Sequence, residues 1–262
     1  MSALKILFRI ISLFPLFFLA ACSTTIKDGP PRQRVDVSQI QDAVPKYEPK
    51  SRYGNPKSYV ALGKRYYVLK SAQGYNQRGI ASWYGRKFHG RLTSSREPYD
   101  MLAMTAASPV LPLPSYVRVT DLENERSVIV KVNDRGPFAP NRIIDLSYAA
   151  AEKLGYARKG TAMVQVTAIN LANPNAPAPV IASKKPQLYL QVGAFSDYVN
   201  AESLKRHLSD YTNKPIRITK VKKHFKTIYR VQIGPLIGVG ESDALFNRLE
   251  RHGLHKAMTV IT

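Results

Sequence analysis

Cys22 is the single cysteine in this chain of 262 residues. No intramolecular disulfide can therefore staple any part of it. The small, loop-rich folds that live on disulfide frameworks are excluded. Whatever domains form must rest on apolar cores. The chain is long enough for two small ones once its N-terminal segment is set aside.

That N-terminal segment is an apolar run, Ile6 to Ala20, preceded by Lys5 and Arg9 and closed by Leu19-Ala20-Ala21-Cys22-Ser23. A basic start, an apolar centre and small residues at the end read as a cleavable export signal. The small-small-Cys ending resembles a bacterial lipobox, in which the thiol is lipidated and the chain is cut before it. A plain spanning helix fits less well. The run falls short of the ~20 apolar residues such a helix needs, and Pro15 interrupts it. The expectation is a signal over residues 1–21 and a lipid anchor on Cys22. Ser23 in the following position resembles a sorting signal for the outer membrane.

The formal net charge is +21. Such a chain suits a polyanion or an anionic surface. An exported protein meets little nucleic acid, which leaves anionic lipid head groups, lipopolysaccharide and cell-wall carboxylates, with a solvated basic surface as the plain alternative. Residues 22–75 are polar, basic and Pro-containing and read as a flexible tether, with Lys64–Leu69 as a short strand or docking segment.

From residue 76 to 170 the pattern becomes short β-rich runs. Ile80–Gly85 alternates. Tyr116–Thr120 and Ser127–Val132 flank a polar turn and read as a hairpin. Ile143–Leu146 and Ala162–Ile169 are further strands. Ser147–Gly155 reads as a short helix, with Ser147 as N-cap and Gly155 as C-terminal stop. Many short strands with one small helix predict a compact barrel. Residues 171–186 are rich in Ala, Pro and Asn and read as a linker.

Residues 187–262 contain an internal repeat: Leu190-Gln191-Val192-Gly193-Ala194-Phe195 is echoed by Val231-Gln232-Ile233-Gly234-Pro235-Leu236. Each copy precedes a helical pattern, Val199–Leu208 and Glu241–Arg251. Strands at Arg217–Val221 and Ala257–Ile261 complete a βαββαβ order, a four-stranded antiparallel sheet with two helices on one face. Strand alternation is expected to send Gln191 and Gly193 to the open face, and Gln232 and Gly234 likewise. Phe195, Tyr229 and Arg230 are the remaining candidate contacts there. A basic domain of this topology could also hold single-stranded RNA, but no RNP-type aromatic motif appears and the export signal argues against nucleic acid.

Ala81-Ser82-Trp83-Tyr84-Gly85-Arg86-Lys87-Phe88-His89-Gly90-Arg91, Leu111–Thr120 and Val132-Asn133-Asp134-Arg135-Gly136-Pro137-Phe138 resemble the rare lipoprotein A family, and residues 187–262 resemble its SPOR domain. The resemblance implies a mostly β fold, a six-stranded double-psi β-barrel followed by an α+β SPOR domain. It implies a lytic transglycosylase that cuts peptidoglycan between N-acetylmuramic acid and N-acetylglucosamine without water, leaving a 1,6-anhydro end. The SPOR domain would bind glycan stripped of stem peptides and address the protein to the division septum and its proteins. No cofactor or metal is implied. His89 has no second ligand at metal-like spacing, so a structural or sugar-contact role is expected for it.

Cleaving a glycosidic bond needs a carboxylic acid to protonate the leaving oxygen and then a base. In a lytic transglycosylase the nucleophile is the sugar's own C6 hydroxyl, so one carboxyl can serve twice, provided burial raises its pKa. The resemblance places Asp134 in that role, with Glu97 as its partner and Asp100 as a third candidate. An Asx turn paired with Arg135 is the structural alternative for Asp134, and an exposed loop acid is the alternative for Glu97. Asp145 reads as a hydrogen-bonding residue at the barrel end. Tyr84, His89, Tyr99, Ser108 and Arg135 are candidate substrate contacts, whereas Trp83 is expected in the core. The chain departs from the family pattern three times. Ser108 stands where the family has His, Arg96 where it has Gly beside the catalytic Glu, and Glu125 where Asn-Gly would suit the turn. Arg96 is expected to act on Glu97 as a neighbouring cation. A non-catalytic lipoprotein that binds septal glycan is the second functional reading.

Overall fold

The computed structural model describes residues 28–173, 185–223, 226–255 and 257–262. The export signal, Cys22 and Ser23, and most of the expected linker, lie outside the described residues. Among those described, no helix is long and apolar enough to cross a membrane.

Six strands close into a barrel: β3 (Asn76–Tyr84), β4 (Thr105–Ala107), β5 (Ser115–Asp121), β6 (Ser127–Asp134), β7 (Arg142–Ser147) and β8 (Ala162–Ala168), in the order β3-β7-β4-β6-β5-β8. β5 and β6 form the expected antiparallel hairpin, whereas β3 with β7 and β4 with β6 run parallel. Alternation along β6 sends Val128, Val130 and Val132 into a core shared with Val117, Val119, Ile144, Leu146, Val164 and Val166. Helix α1 (Tyr148–Leu154) plugs one side with Ala149, Ala150, Ala151 and Leu154. The Ser147 hydroxyl caps it by accepting from Ala150 N, and Gly155 ends it in the left-handed region at φ 88°.

The segment before β3 departs from expectation. From residue 28 it is a strap bound to the barrel, not a loose tether. Acidic side chains pin it at three places. Asp28 accepts from the amides of Gly85 and Lys87. Asp42 accepts from Ile129 N and Lys153 Nζ. Glu48 accepts from the Tyr116 hydroxyl and Lys131 Nζ. Val37 is buried in the barrel core. Composition hides this because the strap docks through single side chains spaced along an extended chain, leaving no apolar period to read. Within it, β1 (Ser58–Ala61) and β2 (Lys64–Tyr67) form an antiparallel hairpin.

The C-terminal unit contains β9 (Leu188–Phe195), α2 (Tyr198–Leu208), β10 (Ile216–Lys223), β11 (Lys226–Leu236), α3 (Val239–Arg251) and β12 (Met258–Ile261). Its antiparallel sheet has the order β10-β11-β9-β12. Leu188, Leu190, Val231 and Ile233 pack on Ala201 and Leu208 of α2 and on Leu245, Phe246 and Leu249 of α3. The two units also meet: Arg142 of β7 grips Asp243 of α3 with two hydrogen bonds, 3.1 and 2.5 Å.

Candidate active site at the barrel end

Backbone register lines up a row of residues across one end of the barrel. Asp134 of β6 pairs with Ala107 of β4, Ala107 pairs with Asp145 of β7, and Asp145 pairs with Ser82 of β3. Paired residues on neighbouring strands project to the same side. Asp134 and Asp145 therefore flank a methyl group, two strand spacings apart (about 10 Å between backbones). Ala107 itself is 3% exposed and packs with Tyr84, Tyr99 and Met101.

Asp134 is held through one oxygen. Its Oδ1 accepts from Ser94 N at 2.8 Å, Ser94 Oγ at 2.7 Å and Arg135 N at 2.7 Å. Among the described residues no hydrogen bond reaches Oδ2. The Asx alternative is thus half realised: the Arg135 amide binds Asp134, but the Arg135 guanidinium turns away. Its Nε donates to Gly54 O, its Nη1 to Ser108 O and Leu111 O, and its Nη2 to Asn55 Oδ1. Arg135 was expected at the substrate. Every one of those hydrogen bonds goes instead to protein oxygens, fastening the strap and the 108–111 loop to the barrel.

Asp145, expected as a hydrogen-bonding residue at the barrel end, is a buried carboxyl there. Burial pushes its pKa from 3.8 up to about 6; the Ser82 hydroxyl and Arg142 oppose the shift, and the negative charges of Asp28 and Asp134 add to it. It does accept a hydrogen bond from Ser82 Oγ, as expected of a barrel-end residue. Its placement follows from the parity of Ile143-Ile144-Asp145-Leu146. The core residues Ile144 and Leu146 alternate with Asp145, which sends the carboxyl to the side opposite the strand's core residues.

Glu97 is engaged at both oxygens. Lys131 Nζ donates to Oε1 at 2.9 Å and Asn133 Nδ2 to Oε2 at 2.7 Å. Lys131 also donates to Glu48 at 3.0 Å, so one cation joins the loop of Glu97 to the strap. Burial alone would lower the Lys131 pKa, but the two carboxylates outweigh it and raise it. Glu97 thereby braces the 93–97 loop that carries Ser94 to Asp134. Arg96 does not pair with Glu97 as expected. It adopts φ 71° and lays its guanidinium over the Tyr53 ring, 5.3 Å from the centroid. Glu125 also sits at positive φ, 61°, where the family's glycine would be unstrained.

Three further expectations need correction. Ser108 is fully buried, and its hydroxyl accepts from Val110 N and Leu111 N. It shapes the loop beside Asp134 and offers nothing to a substrate. Tyr84 and Tyr99 stack on each other at 4.0 Å and are 8% and 3% exposed, so neither presents a ring face to a sugar. Tyr99 donates its hydroxyl proton to Tyr84 O. Trp83, expected in the core, packs against the barrel core while staying partly buried, and donates from Nε1 to Ala157 O at 3.0 Å. Asp100 and His89 form a separate exposed cluster. Asp100 Oδ1 accepts from Leu102 N, and His89 Nδ1 accepts from Met101 N at 3.2 Å. An Nδ1 that accepts carries no proton, so its 3.6 Å approach to Asp100 is not an ion pair in this tautomer.

Gly85 matters through close approach. A Cβ there would lie 2.1 Å from Gly29 O, so only glycine lets the strap pass over the end of β3.

On the C-terminal sheet, a register shift between Val231 and Gln232 breaks the expected alternation. Gln191 and Gln232 pair on the face away from the helices, as read from sequence. Gly193 is turned the other way; a Cβ on it would meet Leu204 of α2. Phe195 and Tyr229 pack against the helix-side core, and Tyr229 meets the Tyr198 ring of α2 edge-on. The outer face instead carries Arg217, whose guanidinium lies 3.4 Å from the Tyr189 ring centroid while Nε donates to Gln232 Oε1 at 2.9 Å. Arg230 lies on the same strand as Gln232, two positions before it in sequence.

Comparison with known proteins follows the same division. A family profile described as lytic transglycolase matches residues 76–166, and a SPOR domain profile matches residues 185–257. A Pseudomonas aeruginosa protein named endolytic peptidoglycan transglycosylase RlpA is 42% identical, over 80% of this chain and 77% of its own length. The Vibrio cholerae protein of that name is 38% identical, over 92% of each chain. The crystal structure of the RlpA SPOR domain from Pseudomonas aeruginosa is 34% identical, covering 28% of this chain and 96% of that one, with a TM-score of 0.27.

Proposed function

The chain belongs to the RlpA family, and from that premise we propose that it is an endolytic peptidoglycan transglycosylase whose chemistry is done at the Asp134–Ala107–Asp145 row. It cleaves the bond between N-acetylmuramic acid and N-acetylglucosamine in strands freed of stem peptides. The C6 hydroxyl of muramic acid attacks its own C1. The C1–O bond to the leaving sugar breaks, and a C1–O6 bond forms. Asp134 takes the proton lost from O6, Asp145 gives its own proton to the departing O4, and proton exchange with solvent resets the pair, so no water is consumed.

One observation carries this reading: strand register puts two carboxyls, Asp134 and Asp145, on either side of Ala107 at one end of the barrel. Asp145, with its pKa raised to about 6, keeps a protonated fraction near neutral pH and serves as proton donor. Asp134, fixed through Oδ1 with Oδ2 unengaged, accepts the C6 hydroxyl proton. The raised pKa of Asp145 marks it as the acid of the pair. Glu97, Lys131 and Asn133 position the loop that holds Asp134.

The C-terminal sheet supplies adhesion. Gln191 and Arg217 offer groups for hydroxyl and acetamido contacts, and the buried Tyr189 and Gln232 hold the Arg217 guanidinium in place. Phe195 and Tyr229 support that sheet from its helix side. Lipidation of Cys22, an outer-membrane location and enrichment at the division septum belong to the same proposal. They rest on the sequence pattern and on the SPOR match.

The test uses a soluble chain beginning after Cys22 and amidase-stripped peptidoglycan strands, with mass spectrometry of the products. Fragments ending in 1,6-anhydro-N-acetylmuramic acid are expected from the wild type and not from Asp134→Asn. A wild type that binds the strands and leaves them whole would overturn the enzymatic reading in favour of a glycan-binding tether.

A further inference from the structure

The β1–β2 hairpin lies before the matched barrel region, yet it stands against the loop that carries Asp134. Tyr59 and Tyr66 face each other across it, stacked at 5.4 Å. Phe138, four residues beyond Asp134, packs edge-on to Tyr59 at 6.1 Å and tilted against Tyr66 at 5.7 Å. The Tyr59 hydroxyl donates to Pro109 O, tying the hairpin to the 108–114 loop. Arg135 fixes the preceding Gly54 and Asn55. The hairpin is therefore a built wall of the site.

Beyond that wall opens a cleft of about 840 Å³. The hairpin (Leu62–Tyr66) and the Pro137–Ile143 loop form one side, and Phe246, Glu250, His255 and Met258 of the C-terminal unit form the other. Its size suits a ligand of a few sugar rings. Two cations of the hairpin border it. Lys64 Nζ lies 5.4 Å from the Tyr66 ring centroid, and Arg65 donates to Ser58 Oγ. Among the described residues, neither meets a carboxylate at ion-pair distance. Aromatic edges beside cations that make no direct ion pair are the chemistry that recognises an acidic sugar, with Glu250 across the cleft as the one carboxylate lining it: pyranose faces pack on rings, and a carboxylate meets the charge.

We propose that this cleft is an extended glycan subsite in which Lys64 and Arg65 read the lactyl carboxylate of muramic acid. The proposal rests on the transglycosylase reading and deepens it. That carboxylate is free only where a stem peptide has been removed; where the peptide remains, it is an amide and carries no charge. The hairpin thus gives a physical basis for preferring stripped strands. Residues of both units line this cleft, so one glycan seated in it would touch both.

The experiment measures equilibrium binding of the soluble chain, carrying Asp134→Asn to stop turnover. The probes are amidase-stripped strands and the same strands with their carboxylates converted to methylamides. Lys64→Ala with Arg65→Ala is then added. Both residues are exposed hairpin positions, so folding is retained and is checked by the melting curve. Two exposed charge contacts are together expected to give on the order of tenfold preference for the unmodified strands. That preference should shrink towards unity in the double variant, with affinity for the methylamide strands unchanged. A preference equal in both proteins would overturn the proposal. The readout does not depend on turnover. A wild type that makes no anhydro ends but shows this charge discrimination would sink the enzymatic reading and leave the subsite standing.

Discussion

Arg135 at the barrel end and Arg217 on the C-terminal sheet are both partly buried arginines, and they are used in opposite ways. Arg135 directs its hydrogen bonds inward, to Gly54, Asn55, Ser108 and Leu111. Arg217 lies flat on Tyr189 and gives one hydrogen bond to Gln232, on a face that the helices leave uncovered. At the barrel end, loops and strap are braced so that two carboxyls keep fixed places. On the sheet, planar and amide groups are spread over a surface. The first arrangement suits a reaction, which needs geometry held to a fraction of an ångström. The second suits adhesion to a repeating polymer.

If this division holds, the largest effect belongs to Asp134→Asn. Turnover on stripped strands should fall about a thousandfold with strand affinity retained, which separates chemistry from adhesion. Arg135→Ala comes next. It leaves several buried carbonyls without a donor, so chemical denaturation should report a loss of about 3 kcal/mol. Residues 28–57 should then become open to proteolysis. Arg217→Ala should do the reverse of Asp134→Asn. Strand affinity drops several-fold, with rates on short soluble fragments unchanged. If that variant slowed cleavage of short fragments too, the two regions would not be the separate devices described here. The smallest effect is Arg96→Gly. Relief of the positive φ should add about 1 kcal/mol to stability, less whatever is lost over Tyr53, with little change in turnover.

Much of this architecture was legible in the chain. Ser147 and Gly155 bracket α1, because capping chemistry is local. The Leu190 and Val231 repeats mark the two central C-terminal strands, because alternation and repetition are local too. The three-residue β4 was not legible; Thr105-Ala106-Ala107 is too short to show a period. Nor was the bulge that turns Gly193 towards α2, since one inserted residue reverses parity without any compositional trace. In the site, the expectation for Asp134 comes from its motif. The placement of Asp145 beside Ala107 was not legible, because it depends on strand order, which is not written in spacing. Tyr84 and Tyr99 were offered as sugar platforms on residue type alone. Their mutual stacking is a tertiary fact.

The central claim is that Asp145 is the proton donor opposite Asp134, and its pH dependence is the direct test. The folded pKa, about 6, is raised above 3.8. Stability from this group is therefore full below about pH 4 and lost as pH rises through 6, by about 2 kcal/mol after allowance for partial exposure. Catalysis should follow the same sign, since the donor is spent once ionised. The measurement is kcat on stripped strands from pH 4.5 to 8 for the wild type and Asp145→Asn, with melting temperatures taken alongside. The account predicts a wild-type rate that declines through a limb near pH 6, and an Asn variant at least a hundredfold slower with no such limb. An Asn variant that keeps both the rate and the limb would contradict it.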